Sequence, residues 1–416
     1  MSTTTILVGP SDRRARGVAG LTLAEAAALR SRLRQRGMDV RLVSAFDPER
    51  PTVGAGTTRT TSAEGRDRVR PDVLLDVGDR PRDPQADGIA AAGQLARALA
   101  AVATDGIVHA VGWRATAVAV TARAETGVRV LAQADQLPSY PGEDRADGSV
   151  MARLGWAALA AADHVVVESG WARGVAVRRG VAADRISVVG PALPAVPDGL
   201  APPPRGVEAT VLSVGDPADV GSLRPVAEAV LHHPGARLLV ARGTGLDERC
   251  AAVVKQRLQE LPVVRRLGSR CRVAGEPAAE LCGKADLVVD VSGSPGRGLG
   301  VLAAMFEARP LVAAAVGGAG ELVVDRVTGL LVEPRDRVHT RDAVTALLAD
   351  PFRLEAYGLA GRDRALAAFD PGLLTDALLL AYTRAAGVVV PDTSVDVTDA
   401  GLVGAFAADS AEQVPA

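Results

Sequence analysis

The sequence is poor in the residues that carry metal and redox chemistry. Its 416 residues include 3 cysteines and 5 histidines. The cysteines are odd in number and lack paired CxxC spacing, and the histidines have no metal-ligand spacing, which argues against a disulfide framework and a metal centre. We therefore expect a reduced, cytoplasmic protein that holds no metal.

Positive charge and long apolar runs are also limited. Lysine occurs only at Lys255 and Lys284, and the formal net charge is −2. This balance gives no reason to expect a nucleic acid or an anionic membrane as a partner. No apolar run reaches the roughly 20 residues that a membrane span needs. The opening MSTTTILVGP lacks the basic and apolar regions of a signal peptide, so it reads as a first strand.

Short apolar strands and alanine-rich helical patterns alternate along most of the chain. TTILVG, DVRLVS, PDVLLDV, GIVHAVG and VRVLAQA are examples of the strands. Continuous apolar strands between helices indicate parallel sheets covered on both faces. The proline-rich stretch 191–206 interrupts this alternation, which then resumes. The pattern predicts two doubly wound α/β domains, with a small-molecule site between them.

The expected boundaries follow from this rhythm. Residues 1–197 form a first domain, joined by a helix at about 366–386 that crosses back to it. Residues 198–365 form the second domain. From about 387 to 416 the sequence is acidic and has no basic residue, so we expect a loosely ordered tail.

Four stretches resemble one enzyme family in chain order. They are ARGVAGLTLAEAAALRSRLRQRGMDVRLVS, GIVHAVGWRATAVAVTARAETGVRVLAQADQL, VVVESGWARGVAVRRGVAADRISVVG and RPLVAAAVGGAGELVVDRVTGLLVEPRD. They resemble glycosyltransferase family 4, the retaining GT-B glycosyltransferases, and in particular its mycothiol-pathway branch, which transfers N-acetylglucosamine to inositol phosphate. The resemblance covers about residues 4–385. It implies the GT-B fold, with two Rossmann-like domains facing across a cleft.

The resemblance also implies the chemistry. A nucleotide-diphosphate sugar is the donor, a small molecule is the acceptor, and no cofactor or divalent metal takes part. Arginines, backbone N–H groups and a helix N-terminus would stabilise the leaving diphosphate. The sequence has no Asp-x-Asp to hold a metal, in agreement. A homodimer is left open.

Carried over position by position, the resemblance names candidate site residues. The donor-binding candidates are Arg242, Glu276, Arg297, Gly298, Leu299, Gly300 and Glu321. The acceptor-binding candidates are Gly17 and Gly20. The catalytic candidate is Asp135, which stands where the family has a histidine and could equally be a strand-end cap. Arg242 and Arg297 could equally be solvated surface arginines.

Several polar positions of the family have changed. The two donor glutamates fall on Pro295 and Ala303, the family's arginine falls on Asp216, and Val220 is nearest to its lysine. These changes leave three hypotheses open. The chain could be an active transferase with a rebuilt donor site, an inactive pseudo-glycosyltransferase that acts as a binding or partner subunit, or an enzyme of a specialised thiol or antibiotic pathway in an actinobacterium.

Overall fold

The computed structural model describes most of the chain. The described residues are 4–8, 23–44, 73–74, 86–103, 105–135, 137–138, 150–193, 196, 208–215, 219–242, 248–293 and 295–388. Most of the predicted linker and of the predicted tail therefore lie outside them, as do Gly17, Gly20 and Asp216.

The first sheet has seven strands. They are β1 (Thr4–Val8), β2 (Val40–Ser44), β3 (Val73–Leu74), β4 (Ile107–Val111), β5 (Arg129–Ala134), β6 (His164–Val167) and β7 (Ile186–Val188). Their order is β3-β2-β1-β4-β5-β6-β7, and β1 pairs in parallel with both β2 and β4. The helices between them are α1 (Leu23–Gln35), α2 (Ala86–Val102), α3 (Trp113–Thr126), α4 (Val150–Ala161) and α5 (Gly170–Arg178).

The second sheet has six strands. They are β8 (Ala209–Ser213), β9 (Ala236–Arg242), β10 (Cys271–Pro277), β11 (Leu287–Asp290), β12 (Leu311–Ala314) and β13 (Leu330–Val332). Their order is β10-β9-β8-β11-β12-β13, with parallel pairing throughout. The strand order reverses between β8 and β11, which is the place where open α/β sheets bind ligands. The predicted pair of doubly wound parallel sheets is confirmed.

Nine helices accompany this sheet in the described chain. They are α6 (Leu223–His232), α7 (Glu248–Glu260), α8 (Pro262–Leu267), α9 (Ala278–Cys282), α10 (Leu299–Phe306), α11 (Gly317–Leu322), α12 (Arg337–Leu348), α13 (Pro351–Ala368) and α14 (Pro371–Ala385). Two of them begin at an Asp-Pro pair. Asp350 and Asp370 accept hydrogen bonds from backbone N–H groups of the first turn, and the following proline loses no helical hydrogen bond.

By length and composition, Pro351–Ala385 could cross a membrane, at a mean hydropathy of 1.3. The stretch is broken into α13 and α14, and Asp370 at the break caps the second helix. Leu354, Leu374 and Leu378 are buried, whereas the apolar window as a whole is 33% buried.

The chain divides into two compact units. Val175–Ile186 and the described chain up to Val166 belong to the first unit, whereas Val167–Gly174 and the chain from Ser187 onward belong to the second. The helix expected at about 366–386 is present as α14, and it groups with the second unit.

Candidate functional site

The strongest candidate site lies where the second sheet reverses its strand order. Strands β8 and β11 end side by side, at Ser213 and Asp290. After β11 the chain passes through a glycine-rich loop, which contains Gly293, Gly296 and Gly298, and enters helix α10. Ligands of open α/β sheets bind outside the carboxyl ends of the strands, and this loop occupies that place.

The glycines of this loop allow two backbone segments to touch. Gly298 has a φ of 74°, and a Cβ atom there would lie 2.6 Å from Cδ1 of Leu322. A Cβ atom on Gly318 would lie 2.6 Å from the carbonyl oxygen of Arg297, and Gly318 N donates to Gly296 O at 2.8 Å. No side chain fits at Gly298 or Gly318. The loop therefore has a fixed shape, with its backbone close to the N-terminus of α10, whose first N–H groups have no partner within the helix.

The second unit holds Arg297 in a buried ion pair. Its Nε and Nη2 donate to the two carboxylate oxygens of Glu168, both at 2.6 Å. The two side chains are 4% and 9% exposed. A carboxylate matches the fork of a guanidinium much as a phosphate does. A phosphate could therefore reach Arg297 only beside Glu168 or in its place.

Glu321 contacts the same short segment. Its carboxylate accepts hydrogen bonds from Gly170 N at 2.9 Å and Trp171 N at 2.6 Å, at the N-terminus of α5. Burial raises the pKa of this carboxyl, whereas the two amide hydrogen bonds lower it. The predicted donor-binding residues Arg297 and Glu321 thus both contact residues 168–171 within the second unit.

The remaining donor candidates have different surroundings. Leu299 and Gly300 open helix α10, and Gly300 packs on Val214 after β8. Arg242 is the last residue of β9 and lies opposite Pro277 on β10, beside the exposed Glu276. Leu299 and Gly300 thus join Arg297 and Glu321, whereas Arg242 and Glu276 lie together on the strands at one edge of the sheet.

Two positions compared with the family's polar residues are apolar and buried. Val220 is 5% exposed in the core under α6, and Ala303 is 2% exposed on α10. The next base along the chain after Val220 is Arg224, which pairs with Glu228 on the surface of α6 at 2.9 Å. None of these three residues supplies a free positive charge or a ribose partner.

In the first unit, Asp135 directly follows β5 and is 6% exposed. A Cβ atom on Gly112, the residue before α3, would lie 3.5 Å from its Oδ1. The carboxylate therefore lies near the N-terminus of a helix. Both interpretations of Asp135, a strand-end cap and a catalytic group, fit this position.

Sequence reasoning missed two charged residues of the second unit. Glu168 follows a buried strand, and its sequence neighbours give no sign of Arg297, which is 129 residues away. Arg335 has a φ of 68° and lies over Gly293 of the glycine-rich loop. The only signal for Arg335 is its place in a VEPRD turn after a strand. Across the described residues, no group of three or more His, Cys, Asp or Glu side chains could hold a metal.

Two family models match the chain. Residues 24–192 match the model described as "Glycosyl transferase 4-like domain", and residues 222–350 match the one described as "Glycosyl transferases group 1". The second match contains the loop after β11, α10 and Glu321.

Curated relatives give a similar result over part of the chain. The D-inositol 3-phosphate glycosyltransferase of Segniliparus rotundus is 34% identical over 184 residues, which cover 42% of this chain and 39% of that protein. The alpha-maltose-1-phosphate synthase of Mycolicibacterium smegmatis is 30% identical over 167 residues, covering 38% and 43%. The chain thus matches about two fifths of the length of these relatives.

Solved structures resemble the chain over nearly its whole length. Sucrose-phosphate synthase from Thermosynechococcus elongatus has a TM-score of 0.72 at 20% identity and covers 94% of this chain and 100% of its own. Alr3699/HepE from Anabaena, solved with UDP and glucose, has a TM-score of 0.66 at 12% identity and covers 92% and 100%. The chain therefore has the GT-B fold, and the two matched family models cover residues 24–192 and 222–350 of it.

Proposed function

We propose that the chain is a retaining, metal-independent glycosyltransferase that takes its sugar from a nucleotide-diphosphate donor. The observation that carries this proposal is the glycine-rich loop at the N-terminus of α10, beside the strand-order reversal between β8 and β11. Such a loop presents backbone N–H groups and the positive end of a helix dipole to an anion. Two glycosyltransferase family matches support the same reaction class.

In this reaction the bond between the sugar's anomeric carbon and the diphosphate oxygen breaks, and a bond to an acceptor atom forms. The bond electrons leave with the diphosphate, so negative charge develops on its terminal phosphate. The loop amides and Arg297 would stabilise that charge, and the acceptor's proton would pass to the leaving phosphate or to solvent. This arrangement needs no divalent metal or other cofactor. For this reaction we assign Asp135, which lies in the first unit, as the catalytic candidate.

The donor site of this protein would be atypical. Pro295 and Ala303 stand where the family has glutamates for the sugar and the ribose, and Ala303 is buried in α10. Losing two charge-assisted hydrogen bonds should cost roughly 3–6 kcal/mol of binding free energy. We therefore expect UDP-N-acetylglucosamine to be a poor donor, with at least about a hundredfold loss of affinity relative to an intact site. Tight binding and fast transfer, followed by UDP release, would contradict this expectation.

The acceptor is proposed to be a small molecule of a specialised thiol or antibiotic pathway in the cytoplasm of an actinobacterium. Curated relatives carry the name D-inositol 3-phosphate glycosyltransferase, so a phosphorylated cyclitol belongs in the acceptor panel. A homodimer remains part of the proposal.

The alternative is an inactive pseudo-glycosyltransferase. The observation that favours it is the Glu168–Arg297 ion pair, which already occupies the loop's arginine, together with the apolar Ala303. Such a chain would act as a binding or partner subunit.

A thermal-shift screen tests the proposal. The purified chain is heated with nucleoside diphosphates and sugar nucleotides, because a bound ligand raises Tm by mass action. Donors that raise Tm are then assayed for diphosphate release with and without acceptors. Binding with turnover supports the transferase, whereas no Tm shift with any nucleotide contradicts a donor site and supports the alternative.

A further inference from the structure

Arg335 adopts a backbone conformation that side chains rarely take. Its φ is 68°, in the turn between β13 and α12, where Asp336 N donates to Glu333 O at 3.1 Å. A residue with a Cβ atom is disfavoured in this left-handed region, and glycine is the residue that fits it without strain. The turn would therefore be more stable with glycine. A strained residue of this kind often serves a functional site.

The side chain of Arg335 lies against the loop after β11. A Cβ atom added to Gly293 would be 3.0 Å from Nε of Arg335 and 3.2 Å from its Cγ. Gly293 N donates to Oδ2 of Asp219 at 3.0 Å, which fixes this part of the loop. The arginine stem thus lies directly against Gly293, four residues before the buried Arg297.

Arg335 is an exposed residue, and within the described ranges its side chain makes no hydrogen bond or ion pair. The other bases near this end of the sheet differ. Arg297 is paired with Glu168, and Arg224 is paired with Glu228. Arg335 therefore places an available positive charge beside the loop. No hydrogen bond or ion pair within the described residues compensates for its backbone strain.

We propose that Arg335 is a further donor-binding residue that pairs with the diphosphate of the sugar nucleotide. It would supply the charge that Val220 cannot supply, since Val220 lies in the core. The inference rests on the proposed donor site. The left-handed backbone of Arg335 would lower the stability of the free protein. Its side chain would raise the affinity for a phosphate.

The test compares three variants with the wild type. Arg335→Gly removes both the strain and the charge, Arg335→Gln removes the charge alone, and Arg326→Gly is the matched control. Arg326 is also a left-handed arginine, with a φ of 60°, but it pairs with Asp325 at 3.5 Å. Tm is measured for each protein, and inorganic pyrophosphate, UDP and uridine are titrated by calorimetry.

We expect Arg335→Gly to raise Tm by about 2–4 °C and to weaken pyrophosphate and UDP about tenfold or more, with uridine unchanged. Arg335→Gln should lose the same affinity without the gain in Tm, and it keeps the test open if the glycine variant misfolds. Arg326→Gly should raise Tm and leave all three affinities unchanged.

Pyrophosphate and UDP affinities of both Arg335 variants equal to those of the wild type would overturn the assignment while leaving the donor site standing. An equal loss of uridine would overturn it too, because it would show a disturbed loop. A wild type that binds neither pyrophosphate nor UDP contradicts the proposed function, and Arg335 then has no ligand to bind.

Discussion

Replacing Arg297 by methionine should destabilise the second unit strongly, because it leaves Glu168 buried without its ion-pair partner. The pair is made by two hydrogen bonds of 2.6 Å between side chains that are 4% and 9% exposed. Removing one member of such a pair typically costs about 3–5 kcal/mol of unfolding free energy. For a unit of this size we expect Tm to fall by roughly 6–20 °C.

Arg297→Met, Glu168→Gln and the double variant form a double-mutant cycle. The double variant should recover much of the loss, since two neutral side chains of suitable size can pack where the ions lay. The control is Arg224→Met, which removes one member of the exposed pair with Glu228, where the cost should stay below about 1 kcal/mol. Urea unfolding of all four variants measures these free energies.

Either of two results would contradict a buried, interacting pair of Arg297 and Glu168. Arg297→Met could prove no more destabilising than Arg224→Met, which would mean that the pair is not buried in solution. Alternatively, the losses of the single variants could simply add in the double variant, which would mean that the two side chains do not interact.

Three other predictions concern ligand binding, pH and backbone strain. Arg297→Ala should weaken UDP much more than uridine in calorimetry, and equal losses would mean that the loop has only been disturbed. Burial lowers the pKa of His109 to about 4 from 6.5, so the unfolded state binds more protons between these values. The free energy of unfolding should therefore fall by about 3 kcal/mol as pH drops through this window. The fall should largely disappear in His109→Gln. Parallel curves of unfolding free energy against pH for the wild type and His109→Gln would contradict this. Ala308 has a φ of 53°, so Ala308→Gly should raise the unfolding free energy by about 0.5–1 kcal/mol. Ala304→Gly inside α10 should lower it. A lower unfolding free energy for both variants would contradict backbone strain at Ala308.

Much of the fold could be predicted from local patterns. Strands such as TTILVG and ATVLSVG are continuous apolar runs because both faces of a parallel sheet are covered, and that pattern is visible without a structure. The Asp-Pro starts of α13 and α14 are equally local, since cap and proline are neighbours in sequence. These signals depend on residues a few positions apart.

The site was less predictable because its contacts join distant parts of the chain. The Glu168–Arg297 pair spans 129 positions, and the contacts of Glu321 with Gly170 and Trp171 span 151 and 150. No periodicity or motif encodes such a pairing. Arg335 was missed for a different reason: its meaning depends on a backbone angle that the letters PRD do not fix.

The central claim is that a sugar nucleotide binds at the loop before α10. Hydrogen–deuterium exchange of the full chain, with and without a donor that raises Tm, locates the ligand directly. We predict slower exchange in peptides covering residues 293–300, where the N–H groups at the start of α10 would meet the diphosphate, and unchanged exchange in peptides from α13. A donor that binds and leaves the exchange of residues 293–300 unchanged would contradict the account.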